Sequence, residues 1–180
     1  MNEMSIPRSM VRQLLGASRF DSLAPSLQRI HAREGRHRYS GEVDVVRGRG
    51  LLARLCAWAT CLPAQGHGTM HVEIFANHHG EQWTRRYCGR SMRSRLWAKN
   101  GLLYERLGLV TFVFRLEAED HAITWHVQRV HALGVPLPVR WFSQVHAREY
   151  EQDGRYRYEV NAALPLTGML VRYRGSLDVG

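Results

Sequence analysis

Two charged residues stand where the alternation of a β-strand calls for an apolar side chain. In Trp83-Thr84-Arg85-Arg86-Tyr87 the period of two puts Arg85 on the face of Trp83 and Tyr87. In Leu103-Tyr104-Glu105-Arg106-Leu107 it puts Glu105 on the face of Leu103 and Leu107. A charge turned into an interior must be paired, hydrated or met by a ligand, because an unpaired one is costly to bury. Two readings stay open. Arg85 and Glu105 form a buried ion pair that fixes strand register, or they form a polar patch on the floor of a cavity walled by Trp83, Tyr87, Phe112, Phe114, Trp125 and Tyr173. In the second case Arg85 would grip a carboxylate, phosphate or enolate oxygen, and Glu105 would serve as acid or base. Arg47 is a third inward-facing charge if strand parity holds, and Glu149 and Tyr173 are further contributors. His31 ends a helical stripe of Leu23, Leu27 and Ile30; it reads as a packed or capping histidine, or as the base.

Other chemistries find little support. His67 and His71 keep one face of a strand, but His121, His126 and His131 fall five apart and alternate faces, and no carboxylate joins any of them at a recognised ligand spacing. No metal site is expected. There is no Gly-x-Ser-x-Gly elbow, and Cys56, Cys61 and Cys88 have neither zinc spacing nor an adjacent activating base. Arg47-Gly48-Arg49-Gly50 precedes a helical pattern and could meet an anion, yet it lacks the dinucleotide fingerprint and a Walker lysine, so no cofactor is expected.

The net charge of +9 raises the question of nucleic acid. Lys99 is the only lysine among 25 basic residues, a bias that codon usage alone can produce, and the arginines run from Arg8 to Arg174 rather than clustering in a tail. The expectation is a solvated basic surface without a nucleic-acid partner. An odd number of cysteines speaks against a disulfide-stapled secreted domain. No stretch reaches the roughly 18 apolar residues of a membrane span, and the N-terminus has no signal-peptide core, so a cytoplasmic protein is expected.

The elements that must position these residues follow from the pattern. Pro7 opens a first helix through Val11, Leu14 and Leu15 that stops at Gly16; Asp21 or Ser22 caps a second helix ending near His31. From Arg38 to Arg47 the period changes to two, with Tyr39, Gly41, Val43 and Val45 on one face. Leu51, Leu52, Leu55, Trp58 and Ala59 then repeat at helical spacing until Pro63. Between Thr69 and His131 six short strands follow one another, turning at Asn77-His78-His79-Gly80, at Asn100-Gly101 and after Glu117. Val110, Phe112, Phe114 and Leu116 form the cleanest buried face of this run. Gly134-Val135-Pro136-Leu137-Pro138 reads as a loop crossing, Trp141 to Glu151 is ambiguous between helix and strand, and Arg155 to Val160 and Leu170 to Leu177 close the chain as strands.

Several phrases in this order resemble one bacterial family, known as domain of unknown function 4166. They include Leu-Ala-Pro-Ser-Leu-Gln-Arg-Ile-His (Leu23 to His31), Tyr-Ser-Gly-Glu-Val-Asp-Val-Val-Arg-Gly-Arg-Gly (Tyr39 to Gly50), Trp-Thr-Arg-Arg-Tyr (Trp83 to Tyr87), Tyr-Glu-Arg-Leu-Gly (Tyr104 to Gly108), Leu-Gly-Val-Pro-Leu-Pro (Leu133 to Pro138) and Leu-Pro-Leu-Thr-Gly-Met-Leu-Val-Arg-Tyr-Arg-Gly (Leu164 to Gly175). The resemblance implies no established activity. Because such domains are often fused behind a dinucleotide-binding domain resembling saccharopine dehydrogenase, it does suggest a separately encoded oxidoreductase as a partner.

The expected fold is α+β: N-terminal helices packed on a strongly curved, mainly antiparallel sheet or partial barrel, lipocalin-like or helix-grip-like. Residues 1–20 read as an N-terminal helical extension and 21–180 as one cavity domain. Three functions are carried forward: binding of a small, partly apolar, oxygenated or anionic molecule; cofactor-free proton-transfer catalysis of the isomerase, cyclase or dehydratase type in the same cavity; and docking on an oxidoreductase.

Overall fold

The structure, a computed structural model, describes residues 9–180 except 61, 63, 166 and 167. Three short helices come first: α1 (Met10–Leu15), α2 (Ala17–Asp21) and α3 (Pro25–Ala32). Strand β1 (Gly35–Arg47) follows, then helix α4 (Leu51–Ala59) and an antiparallel run of β2 (Gly66–Asn77), β3 (Gly80–Tyr87), β4 (Arg90–Lys99), β5 (Leu102–Leu107), β6 (Val110–Glu119) and β7 (Ala122–Ala132). After β7 come a three-residue strand β8 (Val135–Leu137), a 3-10 turn (Val139–Phe142), β9 (His146–Gln152), β10 (Arg155–Leu164) and β11 (Gly168–Asp178). Each of β1 to β7 pairs with the next, β7 pairs with β9, β9 with β10, β10 with β11, and β11 returns to β1. The sheet is therefore a closed antiparallel barrel of ten strands, with β8 added at the free half of β7.

The hairpins use the turn chemistry that antiparallel twist demands. Asn100 and Gly101 both have positive φ, 52° and 72°, as a two-residue type I′ turn requires, and Asp153-Gly154 repeats the device between β9 and β10. Alternation survives along most strands: Tyr39, Val43 and Val45 of β1 and Met70, Val72 and Ile74 of β2 are buried, while Arg36, Arg38, Arg93, Arg95 and Arg115 are exposed. The wall is thus charged outside and apolar inside, the reverse of a lipid-facing barrel. No helix among the described residues is long and apolar enough to cross a membrane.

The curved antiparallel sheet expected from the sequence is present and fully closed, but the α+β label is loose. The longest described helix has 9 residues, too short for a helix-grip arrangement, and the molecule is a β-barrel with short helical caps. The second helix begins later than expected. Ala24 stands at its N-cap with Pro25 in the first turn, and neither Asp21 nor Ser22 caps it. Pro7 lies outside the described residues. The segment expected to be a loop crossing instead contains β8, which pairs Val130 with Leu137 and Ala132 with Val135. Pro136 is tolerated there because β8 is an edge strand, where a missing N–H need not break a ladder. The ambiguous stretch splits into the 3-10 turn and β9. On β6, Val110, Phe114 and Leu116 are buried as expected, with Phe112 half-buried. A bulge at the Val113/Phe114 step leaves Gln128 of β7 unmatched and switches parity from Val127 to Val130.

Antiparallel connectivity sorts the turns to two ends. At one end lie the β2–β3, β4–β5, β6–β7 and β9–β10 turns, and α1 to α3 close it: Val11, Leu15, Phe20, Leu27 and Ile30 join the same core as the inward strand residues. Ala24 N–H donates to the His121 carbonyl (3.1 Å) and Ser26 N–H to Glu151 Oε2 (2.8 Å), tying α3 to two of those turns. At the other end lie α4, the remaining hairpins, β8 and the 3-10 turn.

Candidate functional site

A cavity of about 890 Å³ runs from the barrel interior toward the α4 end. Its wall is largely apolar, contributed by Val72, Trp83, Phe112, Phe114, Trp125 and Tyr173 among others, with Leu55, Cys56 and Ala59 of α4 and Phe142 near its mouth. Ten strands make a barrel wider than its own side chains can fill, whereas eight leave room for side chains or one small ligand. The aromatic side packs as a unit: Phe112 stacks on Phe114 at 5.8 Å between centroids, and Trp125 meets Phe114 edge-on at 5.4 Å.

Arg85 and Glu105 both line this cavity. They come from β3 and β5, with β4 between them, and Ser94 of β4 sits on the same inner face. Arg85 Nη2 lies 3.7 Å from Glu105 Oε1, and Arg85 Nη1 donates to Ser94 Oγ at 2.9 Å. The guanidinium carbon lies 4.8 Å from the centre of the Trp83 ring, a cation–π contact. The pair is an electrostatic one, longer than a hydrogen bond, so the guanidinium fork is not saturated. Sequence reasoning passed over Ser94, although it shares the inward parity of Leu96.

Three tyrosines face the pair from β10 and β11. Tyr156, Tyr158 and Tyr173 line the cavity. Burial pushes the Tyr173 hydroxyl up to about 12 even though Arg85 pulls it down. Burial likewise raises Tyr156 and Tyr158, so all three stay neutral donors at physiological pH. Tyr158 Oη donates to Met70 Sδ at 3.4 Å. The buried indole N–H of Trp125 has no partner among the described residues.

Arg47 and Tyr87 lie elsewhere. They line an adjoining cleft of about 600 Å³ together with Arg54, Arg90, Ser91 and Trp58. The cleft and the cavity share Leu62, Met70, Arg85 and Met92, so Arg85 serves both spaces.

His31 and Glu149 are brought together, but not on the cavity wall. His31 Nε2 lies 2.6 Å from Glu149 Oε2, with both side chains almost fully buried. Glu81, buried beside them, accepts a hydrogen bond from Trp83 Nε1 at 2.7 Å. Burial alone would lower His31, but the charge and hydrogen bond of Glu149, with Glu81 behind, outweigh it and hold its pKa above the ordinary value. Burial pushes Glu81 up. Glu81 lies outside the stretch Trp83 to Tyr87 singled out in the sequence; carried two residues back, the alternation Glu81, Trp83, Arg85, Tyr87 exposes it. The cluster lies behind the cavity: Trp83, which Glu81 holds, and Tyr156, whose hydroxyl is raised in part by Glu149, form part of the cavity wall.

No curated protein sequence matches the chain. A family model matches residues 23–177, from the residue before Ala24 of the α3 cap to the next-to-last residue of β11, and so includes part or all of every strand of the barrel. The chain belongs to the family described as Domain of unknown function (DUF4166).

Proposed function

We propose that the barrel binds an anionic amphiphile, with its apolar body in the large cavity and its acidic oxygens among Arg47, Arg54, Arg85 and Arg90. The observation that carries this reading is the sharing of Arg85 between a greasy cavity of about 890 Å³ and a cleft bearing three more arginines. Pockets of roughly 300 to 1,000 Å³ suit small ligands, and a few convergent polar groups in an apolar wall set orientation. A carboxylate or phosphate accepts the N–H groups that Glu105, at 3.7 Å, leaves free. The neutral tyrosines and the unpaired Trp125 N–H offer donors to further oxygens along the ligand.

The test is binding of a long-chain carboxylate, an alkyl phosphate and the alcohol of equal chain length, read by native mass spectrometry and thermal shift. The two anions are expected to bind at least about tenfold more tightly than the alcohol, the equivalent of about one charge-assisted hydrogen bond. Equal binding of all three would remove the anionic head from the proposal, and no binding of any would remove the ligand.

A second reading, cofactor-free proton transfer, has one observation behind it: Glu105 stands in an apolar cavity beside a guanidinium. Under it, Glu105→Gln abolishes turnover and only weakens binding; full turnover in that variant would sink it.

A further inference from the structure

The outer surface of the open end differs from the rest of the barrel in two independent ways. The first is apolar exposure. Among the described residues every exposed large apolar side chain except Phe75 lies at this end. Leu51 is 83% exposed and Trp58 70% on α4; Leu133 and Val135 project from the β7–β8 hairpin, and Val139 and Trp141 from the 3-10 turn. Isolated surface leucines need no explanation, but a contiguous collar around a cavity mouth does.

The second is charge. The segments that connect the strands at this end, 47–68, 86–92, 106–112, 129–146 and 161–172, contain no Asp or Glu in the sequence. They carry the exposed Arg49, Arg54, Arg90, Arg106, Arg140 and Arg172. Asp44, further along β1, is already engaged by Arg174 at 3.9 Å on the outer wall. The opposite end is mixed: Glu119, Asp120 and Asp153 are exposed there, beside the exposed Lys99, Arg19 and Arg33.

We propose that the open end of the barrel docks on a lipid bilayer containing anionic phospholipid, the apolar collar entering the interface and the arginines meeting the headgroups. Apolar side chains interleaved with cations, with Trp58 and Trp141 at the boundary, are the composition of an interfacial surface. Each arginine near an anionic leaflet adds attraction that falls off with salt. A nucleic acid would use the arginines and leave the leucines in water; an acidic protein would need to be apolar as well as acidic over the same ring. Because the cavity mouth lies within the collar, an amphiphile would pass between bilayer and barrel without crossing water. That last step rests on the ligand reading, whereas docking rests on the exposed residues of this end, of which Arg54, Arg90 and Trp58 also line the cleft and Arg140 and Trp141 the cavity.

The experiment is flotation of the full chain with vesicles of phosphatidylcholine, alone or with about a third phosphatidylglycerol. Wild type is expected to bind the anionic vesicles at least about tenfold more tightly than the neutral ones, with the preference shrinking at high salt. Leu51→Glu with Leu133→Glu, both on exposed positions that line neither cavity nor cleft, should lose at least about tenfold in vesicle binding. The same variant should keep the wild-type circular dichroism spectrum and still bind a monomeric fluorescent fatty acid added in solution. Failure of wild type to float with anionic vesicles while it binds that fatty acid overturns docking and leaves the cavity reading intact. Equal binding of both vesicle types, or undiminished binding by the double variant, overturns docking at this end. So does binding of duplex DNA as tight as that of anionic vesicles and unaffected by the two substitutions.

Discussion

Arg85 and Glu105 are held to each other by position more than by a hydrogen bond, and that decides what their removal does. With both side chains largely buried, Arg85→Met leaves a carboxylate in an apolar wall, expected to cost roughly 3 kcal/mol by chemical denaturation at neutral pH. The double variant Arg85→Met, Glu105→Leu should return to within about 1 kcal/mol of wild type, because no charge remains buried. A loss below about 1 kcal/mol for Arg85→Met alone would show that water, not Arg85, solvates Glu105. His31 makes a second prediction, with the sign set by its raised pKa. Its protonated form is held more tightly in the folded state, so its contribution is full below pH 6.5 and is lost as pH rises through the folded value. Glu81, raised by burial, adds a fall in the same direction starting near its unfolded value of 4.5. The melting temperature of wild type should therefore decline from pH 6 to 9 more steeply than that of His31→Gln; parallel curves would exclude His31 as the source. Arg85, Glu105 and Ser94 are legible from parity alone, and Glu81 follows when the same alternation is carried two residues back from Trp83. The meeting of His31 with Glu149 was not, because 118 residues separate them and only closure of the barrel brings β9 under α3.

Elements fared as their information content dictates. Strands β1 to β7 could be traced because a two-residue period and turns such as Asn100-Gly101 are local signals, whereas closure through the β11–β1 and β7–β9 pairings is set by contacts far apart in sequence. Helix α3 shows the same limit at its first turn. The sequence offers Asp21 and Ser22 as caps, but Ala24 occupies the N-cap and the acceptor comes from β9: Glu151 Oε2 takes the Ser26 N–H across 125 residues. That bond lowers the Glu151 pKa and places a negative charge at the helix N-terminus. Glu151→Ala is expected to cost about 1 kcal/mol, the usual worth of a helix cap, and to speed amide exchange in α3 before the strands. Unchanged exchange in α3 would mean the helix is held by Leu27 and Ile30 packing alone.

The molecule as a whole is a wall built to be wet outside and greasy inside, closed at one end by α1 to α3 and open beside α4. A cavity of about 890 Å³ forfeits contacts that a packed core would make, so a ligand or a larger side chain that fills it restores them. Filling it from within the chain and filling it with a ligand should therefore compete. Ala162 of β10 lines the cavity and is only partly buried, so a larger side chain there can extend into open space. Ala162→Phe is expected to hold or raise the melting temperature, while the long-chain carboxylate that stabilises wild type by about 2.7 kcal/mol at a hundred times its Kd stabilises the variant by much less. The two readouts separate the possibilities. A variant that melts much earlier than wild type would show overpacking of a site that is not open, and a variant with the full ligand shift would place the ligand outside the barrel.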